Sequence, residues 1–209
     1  GDVKSPIEIG NVYRGQEKYK AALKSYNKAF KSIDDNDRDK WNLYYLRGMT
    51  HERLGQFDDV VADLNKALAL QPDNAYILNY LGYSLADRGR ELDRALELIR
   101  KAAALEPNDG HIVDSLGWVL YRLGEYEQAV PHLERAVELL PYDAIINDHL
   151  GDAYWQVGRE LEARFQWRRA FNHSEDEELS AEINKKMDMG LDRYNAIQAA
   201  RNDTGADVE

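Results

Sequence analysis

Apolar residues recur at intervals of three and four positions along most of the chain, the spacing that places side chains on one face of an α-helix. The pattern is clearest between residues 110 and 142, where two such stripes follow one another. Their members are Val113, Leu116, Leu120 and Leu123, then Ala129, Leu133, Ala136 and Leu140. Gly124 and Glu125, which separate the stripes, are typical of a helix end and a restart. The pattern therefore predicts a helical hairpin.

The same pattern recurs with a period of 34 to 38 residues. Each unit carries a glycine in its first stripe and small residues at two recurring places in its second stripe. These residues are Gly10, Gly48, Gly82, Gly117 and Gly151, then Ala22, Val60, Ala95, Ala129 and Ala163, then Ala29, Ala67, Ala102, Ala136 and Ala170. Small residues let two helices approach closely, and a unit of this size buries its apolar face only by stacking on its neighbours. The sequence therefore predicts an all-α solenoid of five hairpins.

The residue order of the fourth unit is Leu116-Gly117, Tyr121, Ala129, Leu133, Ala136 and Pro141. This order resembles the pattern of the tetratricopeptide repeat (TPR) family, whose units are helix–turn–helix hairpins of about 34 residues. The resemblance implies a right-handed superhelix over residues 3–172. Its five units lie approximately at residues 3–36, 41–73, 75–108, 110–142 and 144–176.

The pattern changes after residue 176. Apolar residues at helical spacing predict one amphipathic helix over residues 177–200, with Gly190 as a possible kink and a frayed polar tail at 201–209. A solenoid needs an element that covers its last apolar face, so we expect a capping helix. The alternative is that the part beyond Gly190 docks on a second copy through Leu191, Tyr194 and Ile197.

Composition narrows the classes of partner. The net charge of −11 argues against nucleic acid or an anionic membrane as the main ligand, because both attract Lys and Arg. There is no cysteine, and no apolar run approaches the ~18 residues of a membrane span. The chain opens at GDVKSP inside a unit, so we expect a piece of a longer protein, with Gly1 left by a cleaved tag.

Catalytic motifs are missing from the sequence. None of the five histidines has a zinc-enzyme spacing, and the glycines occupy helix-packing and helix-ending positions rather than a phosphate loop. We therefore predict no enzyme activity, no cofactor and no metal. An active site in a part of the protein outside this chain is the alternative.

The TPR resemblance implies that four positions of each first helix line a concave groove. At these positions the sequence carries rings and acids that packing does not require. The predicted partner-binding residues are Tyr45, Met49, Glu52, Asn79, Tyr83, Asp114, Trp118, Tyr121, Asp148, Asp152 and Trp155. Exposed aromatic and acidic residues favour a protein or peptide segment with basic and apolar side chains. The alternative for Tyr76 and Trp118 is that they only fill the space between successive first helices.

The amino-acid sequence of residues 80–109 and 114–139 resembles the C-terminal part of long proteobacterial TPR proteins. Several of these are envelope proteins, including outer-membrane lipoprotein adaptors that deliver substrates to carboxy-terminal processing proteases. The resemblance implies an adaptor that is periplasmic or outer-membrane-associated, with a cytoplasmic location as the alternative. The sequence thus predicts a non-enzymatic scaffold or adaptor. The alternative function is a self-assembling structural protein that uses the solenoid ends and the C-terminal helix.

Overall fold

The computed structural model describes residues 5–33 and 40–204, with side chains up to residue 201. In these ranges the chain forms twelve α-helices and no strand, which confirms the all-α fold. The helices are α1 (Pro6–Gly15), α2 (Tyr19–Ala29), α3 (Lys40–Arg53), α4 (Phe57–Leu70), α5 (Ala75–Asp87), α6 (Leu92–Leu105), α7 (Gly110–Arg122), α8 (Tyr126–Leu139), α9 (Ala144–Gln156), α10 (Glu160–His173), α11 (Glu177–Met189) and α12 (Leu191–Thr204). None of the described helices is long and apolar enough to cross a membrane.

The odd-numbered helices α1 to α9 are called first helices below, and the even-numbered helices α2 to α10 second helices. The chain divides into two compact units, Gly1–Leu85 (unit 1) and Ala86–Glu209 (unit 2). In unit 1, α1 pairs with α2 and α3 pairs with α4; in unit 2, α7 pairs with α8 and α9 pairs with α10. Within unit 2 the second helix of one hairpin also packs on the first helix of the next. The sequence Asp34-Asp35-Asn36-Asp37 lies outside the described residues.

Large side chains of the second helices fill the space that the repeat glycines leave open. In unit 1 the ring of Tyr26 is fully buried against Gly10, where an added Cβ would lie 2.4 Å from the Tyr26 Cε1 atom. In unit 2 the indole of Trp167 is fully buried against Gly151 at the same 2.4 Å. A side chain at either glycine would push the two helices of the hairpin apart. The recurring glycine is therefore a packing residue, and so is Trp167.

The C-terminal region differs from the prediction. In place of one helix there are two, because Gly190 adopts φ 80° and ψ 158°, a conformation that ends α11. Helix α11 packs on α10, as each first helix of unit 2 packs on the preceding second helix. Leu191 and Tyr194 are buried in the unit 2 core, and only Ile197 is exposed. The prediction that Leu191 and Tyr194 bind a second copy is therefore wrong, since their side chains contact their own chain.

Candidate functional site

The predicted partner-binding residues of unit 1 lie on α3 and α5. Tyr45, Met49, Glu52, Asn79 and Tyr83 are all half-buried. Asn79 Oδ1 is buried without a hydrogen-bond partner among the described residues. Each of these side chains therefore keeps part of its surface exposed to solvent.

Glu52 is held by two hydroxyl groups of α5. Tyr80 donates a short hydrogen bond to Glu52 Oε2, and Ser84 Oγ donates to Glu52 Oε1 at 3.3 Å. The ring of Tyr45 meets the ring of Tyr80 edge-on, with 5.7 Å between centroids. Burial and the Glu52 carboxylate together raise the pKa of Tyr80, so its hydroxyl remains a neutral donor. The two hydroxyl groups thus fix the orientation of the Glu52 carboxylate.

An open cleft of about 660 Å³ lies beside Glu52 in unit 1. It is lined by Arg14, Gly15, Glu17, Tyr19, Met49, Glu52, Arg53 and Tyr80. The Nε atom of Arg14 is buried and has no hydrogen-bond partner in the described part of the chain. The cleft thus offers apolar surface and both signs of charge, and its volume is within the range typical of ligand pockets.

In unit 2 the indole of Trp118 stacks on two other rings. Its centroid lies 4.9 Å from that of Tyr121, on its own helix, and 4.0 Å from that of His149 on α9, with interplanar angles of 7° and 11°. Trp118 therefore fills the space between two successive first helices. Tyr76, for which the same alternative was open, has 56% of its surface exposed.

Asp114 is buried on α7 and paired with His149. Both of its carboxylate oxygens lie 3.0 Å from His149 Nδ1. Burial acts to lower the pKa of His149, but Asp114 overcomes this effect and raises it, with Asp148 and Asp152 acting in the same direction. Asp114, which was predicted to bind a partner, is thus paired with His149 of its own chain.

Asp148 and Asp152 of α9 are likewise buried, and both bind Lys186 of α11. Lys186 Nζ lies 2.7 Å from Asp148 Oδ2 and 3.0 and 2.9 Å from the two oxygens of Asp152. Trp167 Nε1 also donates to Asp152 Oδ1 at 2.9 Å. Burial opposes the charge on Lys186, yet the two carboxylates raise its pKa, so it stays protonated. Burial, with Asp148 adding to it, raises the pKa of Asp152 to about 6.

Trp155, the last predicted contact on α9, is held by the C-terminal helices. Its Nε1 donates to Asp192 Oδ2 at 3.2 Å, and its ring stacks on Trp167 at 5.4 Å. The guanidinium of Arg164 lies 5.3 Å from its centroid. Part of the indole remains exposed.

The sequence interpretation missed the groups that satisfy the predicted acids. Tyr80 and His149 each sit two places before a repeat glycine, directly after a predicted contact, and each reaches back to the preceding first helix. Lys186 lies outside the repeat altogether. A signal for it was present, because two acids at i and i+4, such as Asp148 and Asp152, repel each other unless a cation lies between them.

The described residues contain no group of three or more His, Asp or Glu side chains that could hold a metal ion.

Three segments of the chain match models of one family. Models described as tetratricopeptide repeat match residues 7–36 and 41–74, and a model described as TPR repeat matches residues 117–158. The TPR repeat-containing protein PA4667 of Pseudomonas aeruginosa is 36% identical over 111 residues, which are 53% of this chain and 19% of that protein. The chain therefore spans about a fifth of the length of this relative.

Solved structures show the same fold. TTC0263, a thermophilic TPR protein of Thermus thermophilus, superposes with a TM-score of 0.69 at 23% identity, over 86% of this chain and 96% of that one. MamA of AMB-1 superposes with a TM-score of 0.65 at 23% identity, over 80% and 96% of the two chains. A further MamA structure gives a TM-score of 0.63 at 22% identity, over 89% and 94%.

Proposed function

Because the chain belongs to the tetratricopeptide repeat family, we propose that it is a protein–protein interaction scaffold or adaptor whose first helices bind a segment of a partner protein. Proteins of this family are in general non-enzymatic interaction modules. The proposed binding surface is the first-helix face, with the cleft of unit 1 as its principal site.

The observation that carries this proposal is the open cleft of about 660 Å³ on α1, α3 and α5. Two predicted contact residues, Met49 and Glu52, line it beside Tyr80. A partner's apolar side chain would rest on Met49 and Tyr80, and its polar groups would meet the charged side chains that line the cleft. Such a mixture of apolar and polar surface suits a peptide segment better than a purely apolar one.

The charge that we propose for the partner follows from the acidic side chains that are not bound by a cation of their own chain. Asp114, Asp148 and Asp152 are bound by His149 and Lys186, so they support a basic partner less than their number suggests. In the unit 1 cleft, Glu17 and Glu52 stand beside Arg14 and Arg53. We therefore propose an extended or helical segment that is apolar at its centre. Its basic character is supported by the net charge of −11.

The compartment stays a prediction from the sequence resemblance, and a periplasmic or outer-membrane-associated adaptor is the form of the proposal that this resemblance supports. Fractionation of cells that make the natural full-length protein tests it. Recovery in the cytoplasmic fraction alone would contradict it.

Selection of peptides from a phage-displayed library tests the cleft. Peptides chosen on the unchanged chain should lose at least about tenfold in affinity for Glu17→Arg, which reverses an exposed negative charge at the rim, and for Met49→Glu, which places a charge on the apolar floor. Ala62→Glu, an exposed change on α4 outside the cleft, is the matched control. Circular dichroism should show equal helicity in all three variants. Selected peptides that bind every variant equally would contradict the assignment, and so would a library that yields no binder.

A further inference from the structure

The outward face of α10 departs from the pattern of the other second helices. Aligned from their first residues, the five second helices expose their second and sixth positions in every case. The second positions are Lys20, Asp58, Asp93, Glu127 and Leu161, and the sixth positions are Lys24, Ala62, Glu97, Pro131 and Phe165. Large apolar side chains thus stand in α10 where the other helices carry charged or small residues or proline.

These two side chains are strongly exposed. Leu161 has 86% of its surface accessible and Phe165 has 60%, and they lie one turn apart on the same side of the helix. The core of unit 2 does not use them, because Ala163, Trp167 and Ala170 supply the buried side of α10. Single exposed apolar residues are common, but adjacent large ones on one helix face are typical of an interaction surface.

Opposite charges lie toward the two ends of α10, on either side of Leu161 and Phe165. Glu160 lies in the first turn of α10 and Arg168 lies two turns later on the face of Leu161 and Phe165, and both are exposed. Neither forms an ion pair with another described residue. Their separation of eight positions in sequence corresponds to about 12 Å along the helix. A helix of opposite polarity and the same sequence would place its Arg168 against Glu160, and its Glu160 against Arg168.

We propose that this face binds a second copy of the chain, with the two α10 helices packed antiparallel about a two-fold axis near Phe165. In such an isologous contact every pairing occurs twice. Phe165 and Leu161 of both copies form the apolar centre, and two Glu160–Arg168 pairs border it. A second copy is favoured over an unrelated partner because α10 supplies both halves of this charge complementarity.

Sedimentation equilibrium of the whole chain tests the apolar centre. The unchanged protein should dimerise reversibly, and Leu161→Glu with Phe165→Glu should weaken the dimer at least about a hundredfold. Both positions are exposed, so the helicity, and the unfolding midpoint measured at concentrations where both proteins are monomers, should stay the same. Leu105→Glu is the matched control, since Leu105 is another exposed leucine of unit 2, at 44% accessibility. Its dimerisation should be unchanged.

Charge reversal tests the antiparallel arrangement itself. Glu160→Arg and Arg168→Glu should each weaken the dimer by about tenfold, because each sets like charges against one another twice. The combination of both reversals restores two opposite-charge pairs and should return the affinity to that of the unchanged chain. A monomer at concentrations up to roughly 1 mM would overturn the proposal. Additive weakening in the combined variant would overturn it too, as would an effect of the Leu105 control equal to that of the double change.

Discussion

Replacement of Lys186 by Met should destabilise unit 2 by about 3–5 kcal/mol at neutral pH, the usual cost of removing one partner of a buried ion pair. The ammonium group of Lys186 lies within 2.7–3.0 Å of three oxygens of Asp148 and Asp152. All three residues are no more than 7% exposed. Methionine preserves most of the volume but leaves two buried carboxylates facing each other without a cation. The cost therefore comes from uncompensated charge and not from a cavity.

Urea denaturation followed by circular dichroism and tryptophan fluorescence measures this change, since Trp167 donates to Asp152 and Trp155 stacks on Trp167. Lys185→Met is the control, because Lys185 is the exposed neighbour on the same helix and should change the free energy of unfolding by less than about 0.5 kcal/mol. The reasoning fails if the two variants differ by less than about 1 kcal/mol.

A second substitution separates charge from packing. Asp152→Asn in the Lys186→Met background removes one of the two orphaned charges, so it should recover part of the lost stability. Acid should act in the same direction, because burial already raises the pKa of Asp152 to about 6 and a group with a raised pKa favours the folded state as the pH falls. Additive losses in the double variant would show that the aspartates do not interact through Lys186.

Two further changes test neighbouring features. Asp114 holds the pKa of His149 above its ordinary value of 6.5. The stabilising effect of the His149–Asp114 pair is therefore complete below pH 6.5 and is lost as the pH rises through the elevated pKa of His149. Between about pH 6 and about pH 9, the urea midpoint of the unchanged chain should fall more than that of His149→Gln. Gly190→Ala should lower the free energy of unfolding by about 1–3 kcal/mol in the same assay, because Gly190 has φ +80° and a Cβ there would lie 2.6 Å from the Trp155 ring. Gly124→Ala is the control and should cost less, because Gly124 has φ +81° but nothing lies within 4 Å of its added Cβ. An equal cost for the two variants would contradict the steric reason.

The hairpins could be predicted from sequence because their signals are local and repeated. Gly151 recurs in register with the other repeat glycines, and the side chain that it accommodates, Trp167, lies on the next helix of the same hairpin. The break at Gly190 had no such support. It depends on a positive φ and on contact with Trp155, a residue of another helix, so spacing alone suggested only a possible kink.

The polar contacts of the candidate site needed the tertiary structure. The sequence shows that Asp114, Asp148 and Asp152 are acidic residues at predicted contact positions. Whether their charges are available to a partner depends on the side chains that pack against them. His149 and Lys186 come from the following first helix and from α11, at distances in sequence that no helical period connects. The sequence interpretation therefore recognised the acidic residue types but overestimated the negative charge that these residues offer to a partner.

Recognition by this protein is consequently unlike that of an open acidic groove. A basic partner side chain that entered unit 2 would have to displace Lys186 or His149 from carboxylates which they already hold at 2.7–3.0 Å. The exchange replaces one buried ion pair by another and leaves the displaced cation to be solvated, so little affinity results. Of the predicted contacts of unit 2, the residues that remain partly exposed to a partner are Trp118, Tyr121 and Trp155. Charge-dependent selectivity must then arise away from these ion pairs, which favours the cleft of unit 1, where Glu17 and Glu52 can attract a basic side chain.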